Sequence, residues 1–323
     1  THCISSAASD VYKRQLYDAL RPQRVSGALD YTAWPSVLPT QSESWIGAKR
    51  FEIRRDGREL FCKFAVTDIK AETVEDGNVY EMTVKNGYPQ WNVASEPKRT
   101  PTITATAEDV EQGVKLIWTC EIDVSGLVRQ QATVINTGDG LLEVGKVELG
   151  FPVPADATEI LTTTGHHLRE RSPQRQPLTV GRFEKVSMTG RPDFDATLLL
   201  SLGETGFGFT RGNVYSAHVA WSGNSVLSAE RLPYTTGMLG GGEMLFGGEI
   251  TLAGGEEYTT PWVCGSFGEG LNEVASRFHS FIRNAHRDWN AKHGIAPKPR
   301  PVILNTWAVS YTHLRAHETP EHL

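Results

Sequence analysis

Short alternating segments separated by glycines run from Trp45 to about Cys264, and they constrain the fold more than any other feature. The stretch KRFEIRRDGRELFCKF holds two alternating runs on either side of Asp56 and Gly57, which is the signal of a two-residue hairpin. The stretch GVKLIWTCEIDVSGLVRQQATVINTGDGLLEVGKVELGF gives three further strands with glycines at the turns. Branched and aromatic residues with turns every ~8–12 residues predict a mainly β fold, a large antiparallel β-sandwich.

The periodicity changes once, in LNEVASRFHSFIRNAHRDW, whose apolar residues recur at helical spacing. They are Leu271, Val274, Phe278, Phe281, Ile282, Ala285 and Trp289. We predict one helix over 270–289 that packs on the sandwich through Phe278, Phe281 and Trp289. The next segment, NAKHGIAPKPRP, has the glycine and prolines of a linker, and VILN after it is typical of a buried strand. The order predicts a β domain followed by the start of an α/β domain.

Composition excludes some classes of protein and indicates a compartment. A net charge of −6 over 323 residues argues against a basic nucleic-acid binder. No run approaches the ~18 apolar residues that cross a bilayer, and no secretory signal pattern opens the chain, so we expect neither a nucleic-acid nor a membrane partner. Cys3, Cys62, Cys120 and Cys264 are widely spaced without a CxxC pair. This spacing indicates reduced thiols in the cytoplasm and no zinc site.

Five segments carry a family resemblance when they are taken in order along the chain. They are GHHLRERSPQRQPLTVGRFEKVSMTGRPDFDATLLL, HVAWSGN, AERLP, LGGGEMLFGGEI and RFHSFIRN…RPVILNTW. From about Leu16 to Trp307 the chain resembles bacterial α-galactosidases of glycoside hydrolase family 36. The resemblance implies a galactose-mutarotase-like β-supersandwich over 16–265, a helical linker over 266–299, and the first strand of a truncated (β/α)8 barrel over 300–307.

The two ends depart from that family. At the end of the first barrel strand the family has the sequence Trp-Glu-Ala. In this chain Trp307 is followed by Ala308 in place of the Glu, and the residues after Ala308 do not match the family pattern. Residues 1–15 and 308–323 resemble translated sequencing-adapter read-through, as found in fragmentary metagenomic reading frames. Neither segment has a periodic apolar face, so we expect both to be non-native tails.

The resemblance also implies an activity. It is the hydrolysis of terminal α-galactosyl residues from oligosaccharides of the melibiose or raffinose type, by a retaining double displacement without a metal or organic cofactor. In the family the nucleophile and the acid/base are aspartates of later barrel strands. We therefore expect no catalytic residue in this chain and no activity from it alone. Many relatives are tetramers, which implies a homo-oligomer.

Two tryptophans and an asparagine are the candidate sugar contacts. Trp221 and Asn224 lie in HVAWSGN, where an indole beside an amide and a glycine turn suits stacking on a sugar ring. The alternative is a core tryptophan at a strand end, with Asn224 in a turn. Trp307 ends the predicted barrel strand, where barrel active sites are assembled, and its alternative is packing inside the barrel.

The densest polar cluster is HHLRERSPQR, with Arg169, Glu170, Arg171 and Arg175. Guanidinium groups suit carboxylates and sugar hydroxyls, and in the family this segment can face the barrel. An interdomain ion-pair loop is the favoured interpretation, because such networks are commonly structural. Nucleic-acid and metal sites are disfavoured, because aromatic interleaving is absent and adjacent histidines on an extended segment point apart.

Two further motifs and two rival functions complete the expectations. LGGGEML lacks the spacing of a phosphate loop, so a β-turn is predicted there. Asp193 and Asp195 could form a carboxylate pair, although a surface turn is the better interpretation. The rival functions are a stand-alone carbohydrate-binding sandwich and a mutarotase-like epimerase, which would need His218 and Glu230 to converge.

Overall fold

The computed structural model describes residues 37–43, 45–75, 78–85, 88–93, 101–191, 199–233, 237–296, 298 and 301–302, with backbone alone for Glu43 and for the described residues within 72–93. Trp307, Asp193, Asp195, both predicted tails and most of the predicted barrel strand lie outside the described residues. The chain divides into one compact unit that ends at Phe281 and a second that begins at Ile282. Within the described part, no helix is long and apolar enough to cross a membrane.

The largest sheet has twelve antiparallel strands within the described residues, and it is called the large sheet below. Its main path runs β12 (Arg169–Pro177), β11 (Glu159–His166), β14 (Leu200–Gly203), β15 (Asn213–Val219), β20 (Val263–Glu269), β8 (Val128–Asn136), β7 (Val114–Ile122), β6 (Thr102–Asp109), β3 (Ala65–Glu75), β4 (Asn78–Lys85), β5 (Tyr88–Val93). A short strand, β19 (Glu257–Thr259), pairs with β8 beside this path.

Two four-stranded antiparallel sheets pack on the large one. The β9 sheet has the order β18 (Ile250–Leu252), β9 (Leu142–Val147), β1 (Phe51–Arg55), β2 (Arg58–Glu59). The β16 sheet has the order β10 (Leu149–Val153), β17 (Gly237–Glu243), β16 (Ser225–Arg231), β13 (Gly181–Ser187). The predicted hairpin is confirmed between β1 and β2, where Asp56 and Gly57 both have positive φ, as a two-residue turn of this kind requires.

Two apolar clusters lie between the large sheet and the small sheets. The cluster under the β9 sheet includes Phe51, Ile53, Val114, Leu116, Val134, Leu142 and Val144. The cluster under the β16 sheet includes Ile160, Leu200, Leu202, Tyr215, Ala217, Leu227, Ala229 and Leu239. Every second residue of β8 is buried, because successive side chains of a strand point to opposite faces. The antiparallel sandwich predicted from the sequence is therefore confirmed.

The single α-helix of the described residues, α1 (Leu271–Lys292), packs on the outer face of the large sheet. Tyr215 of β15 points toward the β16 sheet, whereas its neighbour Val214 points outward and packs with Phe207 and Val274. Ser266 of β20 donates a hydrogen bond from its hydroxyl to the Val274 carbonyl oxygen at 3.1 Å. Strand β15 is thus buried on both of its faces, with the small sheet on one side and the start of the helix on the other.

The apolar stripe of α1 is only partly used for packing. Leu271 and Phe278 are half-buried beside Val274. Trp289, in contrast, is 53% exposed and stacks on His293 at a centroid distance of 4.1 Å. The prediction of a helix is confirmed, and its first part packs on the sandwich, whereas Trp289 belongs to the second unit and its predicted contact with the sandwich stays a prediction.

The glycine-rich stretch LGGGEML is not a turn, and that prediction is also wrong. Gly240, Gly241 and Gly242 lie within β17, between strands β10 and β16. A Cβ atom at Gly240 would lie 2.0 Å from the Leu149 carbonyl oxygen, and one at Gly241 would lie 2.0 Å from the Val226 carbonyl oxygen. The glycines are required because both neighbouring backbones approach this strand too closely for any side chain.

We expect Gly241→Ala to destabilise the fold by about 1–3 kcal/mol, because the new methyl group overpacks a central strand. The matched control is Gly145→Ala in β9, where an added Cβ would make ordinary contacts of 3.5 Å or more and φ is not positive. There the change should be neutral or slightly stabilising, since glycine inside a strand costs about 0.5–1 kcal/mol relative to alanine. Urea unfolding of both variants measures the difference, and equal stabilities would contradict the close approach.

Candidate functional site

The loop between β15 and β16 carries both Trp221 and Asn224. The Trp221 side chain is 44% exposed, and its indole lies so close to Gly223 that a Cβ there would meet Nε1 at 2.5 Å. The side-chain oxygen of Asn224 accepts a hydrogen bond of 2.8 Å from the Gly190 N–H, in the loop that follows β13. Trp221 is therefore not a core residue, which was the alternative interpretation from the sequence.

The chemistry available in this loop is that of stacking and hydrogen bonding. An exposed indole offers a flat apolar face, and tryptophan tolerates partial exposure because its ring is large and carries one polar N–H. The hydrogen bond from the Gly190 N–H orients the Asn224 carboxamide, while the NH2 group of Asn224 makes no hydrogen bond to another described residue. The loop could thus stack on a sugar ring and donate one hydrogen bond to a hydroxyl group.

The polar cluster forms the hairpin of β11 and β12 at one edge of the large sheet. Arg169, Glu170 and Arg171 are exposed, and Arg169 and Arg171 have no ion pair among the described residues. Glu170 accepts a hydrogen bond of 2.9 Å from the Leu168 N–H. Hydrogen bonds from its own backbone N–H and from that of Leu168 lower the pKa of the Glu170 carboxyl group. The turn is held by local bonds, and its arginines extend into solvent.

Arg175 differs from the other members of the cluster. Its guanidinium group pairs with Glu159 on the adjacent strand β11 and lies over the ring of buried Phe207, 4.3 Å from the centroid. The second carboxylate oxygen of Glu159 accepts a 3.0 Å hydrogen bond from the Gly206 N–H. The sequence indicated one polar cluster, whereas the structure separates a fixed ion pair from an exposed hairpin tip.

His218 and Glu230, the pair required for an epimerase, do not converge. On β15, Ala217 and Val219 belong to the core under the β16 sheet, so His218 points to the outer face, where it meets Phe278 at 6.3 Å. On β16, Ala229 faces the same core, so Glu230 points away from it. The two side chains therefore lie on opposite sides of the sandwich, and the geometry does not support the epimerase.

A buried network of charges was not predicted from the sequence. Arg50 is fully buried and pairs with Glu230 at 3.1 Å, and Glu230 also accepts a 2.6 Å hydrogen bond from the Ala48 N–H. Arg182 pairs with the buried Glu148 at 2.5 Å. Burial lowers the pKa of Arg50, the charge of Arg182 lowers it further, and Glu148 and Glu230 oppose this shift. No local pattern could have revealed the network, because its partners are far apart in the sequence.

Metal-binding groups do not assemble in the described part of the chain. No set of three or more His, Cys, Asp or Glu side chains is placed there to hold a metal ion. Cys62, Cys120 and Cys264 are free thiols. Burial raises the pKa of Cys62 to about 12, with the charge of Asp109 adding to the effect, and burial likewise raises the pKa of Cys264 to about 11. These thiols are thus protonated and unreactive at neutral pH.

Comparison with known proteins points to one family. The family model described as "Glycosyl hydrolase family 36 N-terminal domain" matches residues 6–253. An α-galactosidase of Escherichia coli is 28% identical over 212 residues, which cover 65% of this chain and 29% of that protein. The bifunctional α-galactosidase/sucrose kinase AgaSK of Mediterraneibacter gnavus is 27% identical over 229 residues, which cover 70% of this chain and 24% of that protein.

Solved structures show the same fold. The family 36 α-galactosidase AgaB of Geobacillus stearothermophilus superposes with a TM-score of 0.66 at 19% identity, covering 85% of this chain and 37% of that one. The galactosidase domain of AgaSK gives a TM-score of 0.65 at 23% identity, covering 80% of this chain and 36% of that one. The chain thus spans less than a third of the length of the two curated relatives. Because the family model matches most of its residues, the chain belongs to the N-terminal domain family of glycosyl hydrolase family 36.

Proposed function

We propose that this chain is the N-terminal β-supersandwich of an α-galactosidase that hydrolyses terminal α-galactosyl residues of oligosaccharides. The observation that carries the proposal is the match of the family model over residues 6–253, together with curated relatives named as α-galactosidases. The chain spans 29% and 24% of those two relatives, so the activity would belong to a longer protein of which this domain is one part.

The proposed domain organisation places the supersandwich at 16–265, the helical linker at 266–299 and the first barrel strand at 300–307. Its support is the order of elements. Strand β20 (Val263–Glu269) crosses the proposed boundary into the first residues of the linker segment, and α1 (Leu271–Lys292) lies within that segment. In this organisation a (β/α)8 barrel would follow the linker and would carry the active site at the carboxyl ends of its strands.

We propose a retaining mechanism for the longer protein. In such a mechanism one carboxylate attacks the anomeric carbon, while a second carboxyl group protonates the leaving oxygen and then activates water. Both groups would come from the barrel, without a metal or organic cofactor. The residues of this chain would bind and orient the substrate, and Trp221 would stack on a sugar ring while Asn224 donates a hydrogen bond to a hydroxyl group. Trp307 would contribute from the first barrel strand.

The exposed part of the polar cluster has a different proposed role. Arg169, Glu170 and Arg171 would contact the rest of the longer protein or a second copy, since their side chains are exposed and the two arginines lack an ion pair among the described residues. Arg175 was expected to belong to the same contact, but it is already paired with Glu159.

The unpaired thiols of Cys62, Cys120 and Cys264 support a reducing compartment such as the cytoplasm.

The test is an assay of the longer protein encoded by the uninterrupted gene. We expect it to hydrolyse melibiose and to release α-galactose first, as detected by NMR before the anomers equilibrate. In that protein, Trp221→Ala should raise KM about tenfold with a smaller change in kcat, because stacking binds substrate and transition state alike. The matched control is Trp289→Ala, another exposed tryptophan, which should leave KM unchanged. Release of β-galactose first, or no hydrolysis of any α-galactoside, would contradict the proposal.

A further inference from the structure

A small cleft opens where three elements of the large sheet meet. The end of β12, the segment entering β11 and the turn between β14 and β15 surround a volume of about 250 Å³. It is lined by Thr158, Glu159, Arg175, Gln176, Pro177 and Thr205, five of which carry polar groups, although most of the surface exposed to the cleft is apolar. The cleft lies on different elements from the loop that carries Trp221, and no residue lines both.

The charged groups of the cleft are fixed in place. Arg175 is held from below by the ring of Phe207, at 4.3 Å, and from one side by Glu159. Glu159 is held by Arg175 and by the Gly206 N–H, and its side chain is only 15% exposed. Each group nevertheless keeps hydrogen-bonding capacity. A guanidinium group has five N–H donors and a carboxylate about four acceptor positions, and Arg175 makes no second hydrogen bond within the described part of the chain.

The charge of the cleft is balanced. Burial alone would raise the pKa of the Glu159 carboxyl group, but the Gly206 N–H and the Arg175 guanidinium group together lower it, so the carboxylate is ionised at neutral pH. Arg175 remains positive at any physiological pH. One positive and one negative charge therefore face the opening, with no excess of either sign to attract an ionic ligand. A neutral ligand with both donors and acceptors matches this arrangement best.

Hydroxyl groups complete the lining. The hydroxyl of Thr158 lies 3.0 Å from that of Thr205, and both can donate or accept. The amide of Gln176 adds both a donor and an acceptor at the same opening. The volume is below the ~300–1,000 Å³ of sites for drug-sized ligands, so the cleft itself has room for about one ring. We propose that this cleft is an accessory binding site for a single neutral sugar ring, whose hydroxyls bridge Glu159 and Arg175.

The test follows the backbone amide of Gly206 by NMR while sugar is added to the purified chain. This N–H donates to Glu159, so its resonance reports on the cleft and not on the Trp221 loop. We expect saturable shifts with galactose or glucose and a Kd in the millimolar range. Separate titrations with galactose, glucose, galacturonate and inorganic phosphate distinguish a hexose-specific site, a general sugar site and an anion site.

Variants assign the shift to the cleft. Glu159→Gln keeps an acceptor for the Gly206 N–H but removes the charge, and should weaken binding at least about tenfold. Thr205→Val removes one hydroxyl and should weaken binding by about threefold to tenfold. The matched controls are Arg211→Gln and Thr210→Val, which alter exposed residues of the same β14–β15 connection outside the cleft, and binding should be unchanged. Because Thr205 is exposed, its variant should fold even if the Glu159 variant does not.

Three results would overturn the proposal. The first is the absence of any saturable shift of Gly206 with sugar at up to about 100 mM. The second is tighter binding of galacturonate or phosphate than of neutral sugars, which would make the cleft an anion site. The third is neutral-sugar binding that persists unchanged in both the Glu159 and the Thr205 variants. Saturable binding of a neutral hexose that is lost in the cleft variants and retained in the controls would support it.

Discussion

The purified chain should leave an aryl α-galactoside unhydrolysed, at a rate at least about 10⁴-fold below that of an intact family member per mole of protein. A retaining glycosidase needs two carboxyl groups about 5–5.5 Å apart on either side of the anomeric bond. The buried carboxyl groups of the described residues are those of Asp109, Glu148 and Glu230. Backbone N–H groups or arginines hold each of them, so none is available as a nucleophile or as a general acid.

The assay compares the chain with an intact α-galactosidase on a chromogenic substrate. Asp193 and Asp195 lie outside the described residues, so their variants provide the decisive control. Turnover that survives repurification and disappears in Asp193→Asn or Asp195→Asn would place a working carboxylate pair in this domain. That result would overturn the assignment of both catalytic groups to a barrel.

Glu230→Gln should reduce the free energy of unfolding by about 3–5 kcal/mol. Arg50 is fully buried, and Glu230, which is 3% exposed, is its ion-pair partner at 3.1 Å. The glutamine could still accept the hydrogen bond from the Ala48 N–H, so the main effect is a buried guanidinium group that has lost its paired charge. Such a group is costly because the interior solvates an ion far less well than water does. Chemical denaturation measures the difference.

A neighbouring ion pair provides the matched control. Glu59 pairs with Lys49 at 2.5 Å, but both side chains are about half exposed, at 40% and 46%. Glu59→Gln should therefore cost no more than about 1 kcal/mol. In the double variant Arg50→Met with Glu230→Gln, part of the lost stability should return, because no charge of that pair remains buried. A Glu230 variant as stable as the Glu59 variant would show that Arg50 does not depend on its partner.

The buried pair matters for the architecture because it joins the two small sheets. Arg50 immediately precedes β1 of the β9 sheet, and Glu230 lies in β16. Glu148, between β9 and β10, donates its backbone N–H to the Arg50 carbonyl oxygen at 2.8 Å and pairs through its side chain with Arg182 of β13. The Arg50–Glu230 pair links the segment entering the β9 sheet to a strand of the β16 sheet, whereas the Glu148–Arg182 pair links the segment between β9 and β10 to the edge strand β13. The two small sheets share no strand-to-strand hydrogen bonds within the described residues, so the Arg50–Glu230 pair adds a side-chain link where the strands do not pair.

The sequence by itself determined the elements whose causes are local. The alternation of β8, the hairpin at Asp56 and Gly57, and the start of α1 all follow from residues within a few positions of one another. A strand exposes alternate side chains to opposite faces, a two-residue turn needs positive φ, and a helix repeats every 3.6 residues. The family resemblance was also visible, because it depends on ordered motifs and not on contacts between them.

Only the tertiary structure decided what depends on residues distant in the sequence. The glycines of β17 indicated a turn from the sequence alone. In the structure they lie in a strand, because the carbonyl groups of Leu149 and Val226 on the two neighbouring strands leave no room for a side chain. Glu230 was a candidate catalytic group from the sequence alone. In the structure its carboxylate pairs with Arg50 and accepts a hydrogen bond from the Ala48 N–H. These outcomes depend on which backbones become neighbours, since strand pairing and burial join segments that are separated by tens to hundreds of residues. A local pattern can indicate that a residue is polar or small, but only its neighbours in space determine whether that residue binds a ligand, pairs a buried charge or makes room for a strand.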